Sequence, residues 1–518
     1  MATVLQAFKQ KWVYKDSQLT RTPIRRLFLQ PPARPAAQPV APLKAAFSAR
    51  SGPSWQQITA LAVMIFAVGM AAWLAPKTLA ACLYWLCWGV FMGNAVMRLA
   101  ACCIPVRPAI GAGPAASNEN LPFYTVIVAL YKEAEIVPQL LDAMLRLTYP
   151  RDRIEILFAL EVDDRATIDA FYAQNLPPEV RIIEVPDGFP RTKPRALNHA
   201  LGLATGDLVV IYDAEDQPHP DQLVAAARAF QAGDKRLACL QAPLRPVGAS
   251  TFIGRQFAAE YAVQFDVLLP ALNRLGLPFP LGGTSNHFRA EVLKTIGAWD
   301  AYNVTEDADL GLRLAQFGYT SGLIAPPTCE TPPASSRVWL PQRTRWIKGY
   351  LQTLLVHTRL NTRFYPRVWT GLFLGVGLSA GAALAYAPFS GLVVVSMLMA
   401  VLQAIGNAHK AMPAMPLQDL ALFAIGSLSA MTTLAVGVRR AGAPFALTDM
   451  LSAPFYWCLQ SVAAGFALYK LVFEPFYWDK TEHVPVAHKP LAGKSASAYA
   501  GNYDHRRLPE NPAHDGLG

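Results

Sequence analysis

Residues 207–220 read DLVVIYDAEDQPHP. The run Leu208–Tyr212 is continuously apolar, rich in β-branched types and short, and it follows a Gly206-Asp207 turn, so it predicts a buried strand. It then stops abruptly at Asp213, Glu215 and Asp216. Three runs of the same kind precede it: YTVIVAL (124–130), IEILFAL (154–160) and VRIIEV (180–185). Amphipathic segments such as IVPQLLDAML (136–145) lie between them. Apolar strands alternating with helices predict a parallel sheet covered on both faces, a doubly wound α/β domain of Rossmann-like type.

In an open sheet of this kind the functional site lies off the carboxyl ends of the strands. Acids stand at three of those ends: Glu133 after the first run, Asp163 and Asp164 after the second, and Asp213, Glu215 and Asp216 after the fourth. Any one of them could simply cap a helix, but that does not explain their coincidence at one edge. A cluster of hard oxygen ligands suits Mg²⁺ or Mn²⁺, which takes its remaining ligands from water and substrate phosphates. Lys193 in RTKPRALNHAL and the arginines of QRTRW (342–346) offer positive charge for the same phosphates. With no GxxxxGK[ST] in the chain, a P-loop is excluded, and a diphosphate-activated donor remains.

The 518 residues are only 16% charged and have a mean hydropathy of +0.23, with the apolar residues concentrated in blocks on either side of this domain. Residues 57–75 and 79–100 are each long enough to cross a bilayer, with Pro76-Lys77 as the turn. The chain divides into a basic Pro/Ala-rich tail (1–54), two transmembrane helices (55–104), the α/β domain (105–335), an interfacial region holding QRTRW (336–365), three to four transmembrane helices (366–478) and a flexible tail (479–518). Nine Lys/Arg face the single Asp16 in residues 1–54, which places that end, the α/β domain and the C-terminus in the cytoplasm and the helices in the inner (plasma) membrane. The run QPPARPAAQPVAP (30–42) reads as a disordered tether. Two spans in 367–403, broken at Pro388, make six crossings but put Arg439-Arg440 outside, against the charge rule; one span there brings them inside. The seven cysteines form no CxxC or Cys/His cluster, which excludes a zinc or disulfide framework. No basic motif interleaved with aromatics accompanies the tail, so nucleic acid is not an expected partner.

The order of strand-DD, KPRALNHAL, strand-DAED, GGTSNHFR, TEDADLGLRL and QRTRW resembles inverting glycosyltransferase family 2, in its membrane-embedded, cellulose-synthase-like branch, over about residues 122–350. The resemblance implies a GT-A-type fold between transmembrane helices, a UDP-sugar donor (UDP-glucose first), a growing β-linked polysaccharide as acceptor, and a lipid bilayer around it, with room for periplasmic or accessory secretion partners. By position, Ala129 to Glu133, Asp163 and Asp164 match the donor's uridine loops, and Lys193 matches the basic residue near the diphosphate. Asp213 matches the first Asp of the metal motif; Glu215 replaces the second, so either Glu215 or Asp216 faces the metal. Asp307 matches the catalytic base. Gln342, Arg343 and Arg345 are expected on the donor diphosphate and Trp346 on the acceptor sugar, where Gly283, Thr284 and Glu306 join it. A place in the first turn of a helix lowers the pKa of Asp307, so its basicity has to come from Glu306 or from desolvation. A non-processive transferase acting on a lipid-linked sugar, and a transporter or scaffold that only binds nucleotide, are the competing readings.

Overall fold

The computed structural model describes residues 37–105, 120–359, 364–406, 417–443 and 445–477. The tail before residue 37 and the tail from 479 lie outside the described residues. The strands are β1 (Tyr124–Leu130), β2 (Ile154–Glu161), β3 (Val180–Val185), β4 (Leu208–Tyr212), β5 (Gln217–Pro218), β6 (Leu237–Gln241), β7 (Leu244–Pro246), β8 (Asn286–Arg289), β9 (Thr320–Leu323) and β10 (Thr328–Glu330). The domain helices are α3 (Val137–Leu145), α4 (Arg165–Tyr172), α5 (Lys193–Leu203), α6 (Gln222–Ala232), α7 (Phe252–Val263), α8 (Leu269–Arg274), α9 (Ala290–Thr295) and α10 (Glu306–Gln316). Around them run α1 (Trp55–Leu74), α2 (Pro76–Cys103), α11 (Ser336–His357), α12 (Pro366–Leu372), α13 (Leu378–Gly406), α14 (Leu417–Ala441) and α15 (Leu447–Phe473).

The main sheet has the order β3-β2-β1-β4-β8-β6-β9, and a small sheet has β5-β10-β7. The four expected strands are present and parallel, with β1 pairing β2 on one side and β4 on the other. Their apolar runs follow from burial on both faces. Tyr124, Val126 and Val128 pack on one side with Leu140 of α3 and Ala226 of α6. Ile127, Val209 and Ile211 pack on the other with Leu197 of α5 and Leu310 of α10. The chain order reverses between β1 and β4, which opens a crevice at their carboxyl ends. Strand β8 enters antiparallel beside β4 and brings the GGTSN loop to the same edge.

Among the described residues, five helical runs are long and apolar enough to cross a membrane: Trp55–Leu74, Pro76–Cys103, Pro366–Met399, Leu417–Ala441 and Leu447–Phe473. The expected break at Pro388 does not occur. Pro388 lies inside α13, and the neighbouring Ala387 N–H donates to Ser461 Oγ of α15 at 3.0 Å, the kind of side-chain partner that lets a membrane helix carry a proline. Region 366–399 is therefore one helical run of membrane-crossing length and composition. Arg440 accordingly lies at the domain end of the helices, donating to the carbonyls of Asp266 (2.9 Å) and Cys102 (3.1 Å). Helix α15 runs along α11, and both its ends are tied to domain-side helices: Arg255 of α7 pairs with Asp449 at 2.8 Å, and Lys348 of α11 donates to the carbonyls of Glu474 (3.0 Å) and Tyr477 (2.8 Å).

The tether expected over residues 30–42 is docked in its described part. Ala41 N–H donates to Lys294 O at 2.9 Å. Asp300 accepts from Ser48 Oγ (3.0 Å) and Ala49 N (2.6 Å), and Arg359 donates to the carbonyls of Ala46, Ser48 and Gly52. Buried side chains of the domain supply the partners that a solvated tail would take from water.

Candidate active site

A cavity of about 890 Å³ opens at the carboxyl ends of β1 and β4 and continues between α2, α13 and α14. Of the expected site residues, Ala129, Glu133, Lys193, Asp213, Glu215, Gly283, Thr284, Glu306, Asp307, Gln342, Arg343, Arg345 and Trp346 all line it. Asp163 and Asp164 do not. Asp164 caps α4 by accepting from Thr167 N at 3.4 Å, and it also accepts from Lys132 N; it shapes the loop after β1 from behind. Asp163 is exposed and pairs with Arg191 at 2.6 Å. Arg191 itself lines the cavity and sits over the Tyr131 ring.

The loop after β4 separates the two candidate metal carboxylates by the direction each faces. Asp216 is buried, and its Oδ2 accepts from Asp213 N (2.7 Å) and from Thr284 Oγ1. It braces the loop and stays out of the cavity, whereas Glu215 faces in. Thr284 spends its hydroxyl on Asp216 and the Ile211 carbonyl, away from the acceptor contact expected of it. Lys193 Nζ bonds to Asp213 Oδ1 and to the Gly283 carbonyl at 2.9 Å. Burial opposes its charge, but Asp213 and Glu306 outweigh that and hold its pKa above the ordinary value. A cation therefore already stands between hard oxygens here, and Asp213 with Glu215 fits a divalent ion. Among the described residues no cluster of three or more His, Cys, Asp or Glu forms, so such an ion would draw further ligands from water and phosphate.

Asp307 opens α10 on the opposite wall, and a Cβ built at Gly283 would lie 3.7 Å from its Oδ2. Burial raises its pKa to about 6, against the pull of the Ala308 N–H, Lys193 and Arg345. Desolvation thus wins over the helix terminus. Burial, then the charge of Asp307, pushes Glu306 to about 8, so the pair holds one proton at neutral pH.

Helix α11 brings QRTRW to this wall. Arg345 reaches toward the Val304 carbonyl at 3.4 Å, beside Glu306 and Asp307. Arg343 points elsewhere than expected. Its two terminal nitrogens donate to Glu260 of α7 at 2.9 and 2.7 Å, and one also to Tyr456 Oη at 3.2 Å. Its guanidinium lies 4.6 Å over the Trp346 ring. Its bidentate pair joins α7, α11 and α15, and a diphosphate would have to break that pair to engage Arg343. Trp346 packs at a tilt on Phe257 and Tyr261 and lines the passage from the acidic pocket toward α13 and α14.

The family model described as glycosyltransferase like family 2 matches residues 122–349. The chain carries a glycosyltransferase family 2 domain. It is 26% identical over 306 residues to a beta-monoglucosyldiacylglycerol synthase of Synechocystis sp., covering 56% of this chain and 61% of that one. It is 27% identical over 231 residues to a poly-beta-1,6-N-acetyl-D-glucosamine synthase of Staphylococcus epidermidis, covering 44% and 55%. The alignments span less than two thirds of these relatives' own lengths. A mannosyltransferase from Pyrobaculum calidifontis, solved in complex with GDP-Man and Mn²⁺, superposes with a TM-score of 0.50 at 20% identity over 76% of this chain and 99% of that one. At that identity the likeness is one of fold, and it agrees with the GT-A-type sheet.

Sequence reasoning about the glycosyltransferase domain passed over three of its cavity residues: Arg191, Glu260 and Glu330. Arg191 was within reach, two residues before Lys193 in the same motif. Glu330 ends the three-residue strand β10 and has no spacing signal. Burial, then the nearby Asp216 and Asp213, raises its pKa well above the usual carboxylate range.

Proposed function

We propose that this chain transfers a hexose from a UDP-sugar, UDP-glucose first, with inversion, to a saccharide acceptor presented from the membrane side of Trp346. The observation that carries this reading is one continuous cavity holding Asp213, Lys193, Asp307 and Arg345 at one end and Trp346 farther in. The acceptor hydroxyl gives its proton to the Asp307 carboxylate. Its oxygen forms a bond to the sugar C1, and the C1–O bond to the diphosphate breaks, the electron pair leaving with UDP. Asp213 and Glu215 would hold Mg²⁺ or Mn²⁺, which supplies positive charge to the departing diphosphate. Lys193 and Arg345 face the same charge, and desolvation keeps Asp307 basic enough for the proton. Extension of a β-linked polysaccharide is the form of this activity that the QRTRW signature favours.

The domain and both termini belong on the cytoplasmic face in this reading, with α1, α2, α13 and α14 crossing the membrane and α15 lying along α11 without crossing it. Support comes from the basic N-terminal tail, from Arg439-Arg440 at the domain end of α14, and from α15 beginning and ending beside the domain. The experiment supplies membranes singly with UDP-glucose, UDP-N-acetylglucosamine or GDP-mannose, and digests the product with linkage-specific hydrolases. Asp307→Asn should lower turnover by about 10²–10⁴-fold with UDP binding retained, and Asp213→Asn or EDTA should abolish it. Full activity in any of these three conditions would overturn the assignment.

A further inference from the structure

Glu330 lines the cavity, yet neither the metal carboxylates, the base nor the indole has so far needed it. It ends β10, a strand of only three residues that is fixed from several directions. The backbone of Thr328 and Cys329 pairs with β5 on one side and β7 on the other. The Thr328 hydroxyl meets Gln222 Nε2 of α6 at 3.0 Å and Ser285 Oγ at 2.6 Å, and the Glu330 carbonyl accepts from Val247 N at 2.9 Å. The side chain therefore enters the cavity from a rigid mount, as a directional contact with a substrate requires. At 8% exposure its carboxyl needs hydrogen-bond partners. The Tyr261 hydroxyl donates to it. Among the described residues the charges acting on it are the carboxylates of Asp216 and Asp213, and no Lys or Arg is among them.

The wall that carries Glu330 runs from the base to the indole. A Cβ built at Gly283 would lie 3.7 Å from Asp307 Oδ2, and one at Gly282 would lie 3.0 Å from Phe265 Cζ and 3.4 Å from Leu244 Cδ1. Leu244 is the partner of Thr328 across β7 and β10. Phe265 lies at a tilt 5.5 Å from the Tyr261 ring, and Tyr261 lies 6.1 Å from Trp346 and stacks on Phe257 at 4.4 Å. A sugar ring that reaches Asp307 from Trp346 passes this wall. The indole supports the ring through its C–H face, and that contact has no preferred direction within the plane of the ring. Turning the ring in its plane replaces the hydroxyl opposite the base by a neighbouring one. Choosing between them takes a hydrogen bond from the side, because such a bond weakens steeply when misaligned.

We propose that Glu330 determines which acceptor hydroxyl meets Asp307: its carboxyl, held in place by Tyr261, hydrogen-bonds an oxygen of the sugar ring lying on Trp346 and so fixes the linkage that is formed. A protonated carboxyl donates to a sugar oxygen and an ionised one accepts from a sugar hydroxyl, so the orienting bond exists in either state. Tyr261 is then a positioning residue that acts through Glu330. This rests on the transfer reading above and adds specificity to that same site. The bond changes are unaltered: the hydroxyl proton goes to Asp307, the acceptor oxygen joins C1, and UDP leaves with the electron pair.

The test uses membranes of the full chain with radiolabelled UDP-glucose and reads the initial rate, UDP binding, and the linkage of the product by methylation analysis. Glu330→Ala should lower the rate by about 10²-fold, the cost of a misplaced reactant, with a smaller change in UDP binding and a second linkage in the residual product. Glu330→Gln keeps the length of the side chain, an acceptor for Tyr261 and a donor for the sugar, so it should recover most of the lost rate and the parental linkage. Tyr261→Phe removes only the phenolic hydroxyl and should fall between the two. The parental linkage at a rate within about threefold of the parent in Glu330→Ala would overturn the inference. So would losses of rate matched by equal losses of UDP binding in all three variants, because Glu330 would then be holding the donor edge. If Glu330→Ala binds no UDP at all, Tyr261→Phe decides, and the parental linkage at the parental rate there overturns the inference as well. A parent protein that releases no UDP would instead defeat the transfer reading.

Discussion

Replacing Gly349 with alanine should disable transfer although Gly349 lies outside the cavity lining. A Cβ built there would lie 2.3 Å from Thr305 Oγ1, 2.5 Å from its Cγ2 and 2.7 Å from its Cβ. Restoring an ordinary contact of about 3.5 Å requires Thr305 to move by about 1 Å. Thr305 has little room. Its N–H donates to Asn303 Oδ1 at 3.0 Å, Asn303 is held by Thr353 at 3.1 Å, and the Val304 N–H donates to Gln352 Oε1 at 3.1 Å. The shift therefore passes into the start of α10, where Glu306 and Asp307 stand. A misplacement of about 1 Å costs on the order of 10²-fold in turnover, so kcat should fall by that order while UDP binding, set mainly by β1, β4 and Lys193, changes little. The assay is initial-rate sugar transfer together with UDP binding on the same membranes. Adding Thr305→Ala removes the two nearest atoms but leaves the 2.7 Å contact, so it should restore part of the rate. A Gly349→Ala enzyme with kcat within about threefold of the parent would refute the reasoning, because it would mean that the 303–305 loop absorbs the methyl group.

The pH profile follows from burial of the acidic pair. With Asp307 raised to about 6 and needed as the unprotonated base, kcat/KM should fall as pH drops through about 6; an acid limb near the ordinary carboxylate value would contradict this. Glu306, raised to about 8, is protonated at neutral pH, so Glu306→Gln should keep the acid limb and erase any change in rate near pH 8. Glu260→Gln strips Arg343 of its carboxylate and should lower stability by about 2–3 kcal/mol, less than the roughly 3–5 of a fully buried pair because the Glu260 side chain is one-third exposed; an unchanged melting temperature would remove the bracing role. Trp346→Ala should reduce acceptor product more than UDP binding, and Arg345→Ala the reverse; equal losses in both variants would merge the two subsites.

The fold was legible where the physics is local. A strand buried on both faces must be written as an unbroken apolar run, and β1 to β4 are. Strands β5, β7 and β10 carry two or three residues each and exist only because partners from distant parts of the chain pair with them, so no window of sequence announces them. Pro388 misled for the same reason. It is a helix breaker by its own chemistry, and Ser461, from a helix more than 70 residues later, meets the backbone beside it.

In the site, Asp213 and Glu215 after β4, Lys193 at the start of α5 and Asp307 at the start of α10 converged because their motifs end a strand or begin a helix at the same sheet edge, while QRTRW reaches it from the middle of α11. What spacing could not supply was side-chain direction. Glu215 and Asp216 are neighbours, and the choice between them rests on Thr284 and the Asp213 N–H capturing Asp216. Arg343 and Arg345 are two residues apart on α11, so a helix turns them about 200° from each other. One faces Glu306 and Asp307, and the other must face the opposite side, where Glu260 stands on α7. In QRTRW Arg345 stands beside Glu306 and Asp307, whereas Arg343 ties α7, α11 and α15 together with the Trp346 indole beneath its guanidinium.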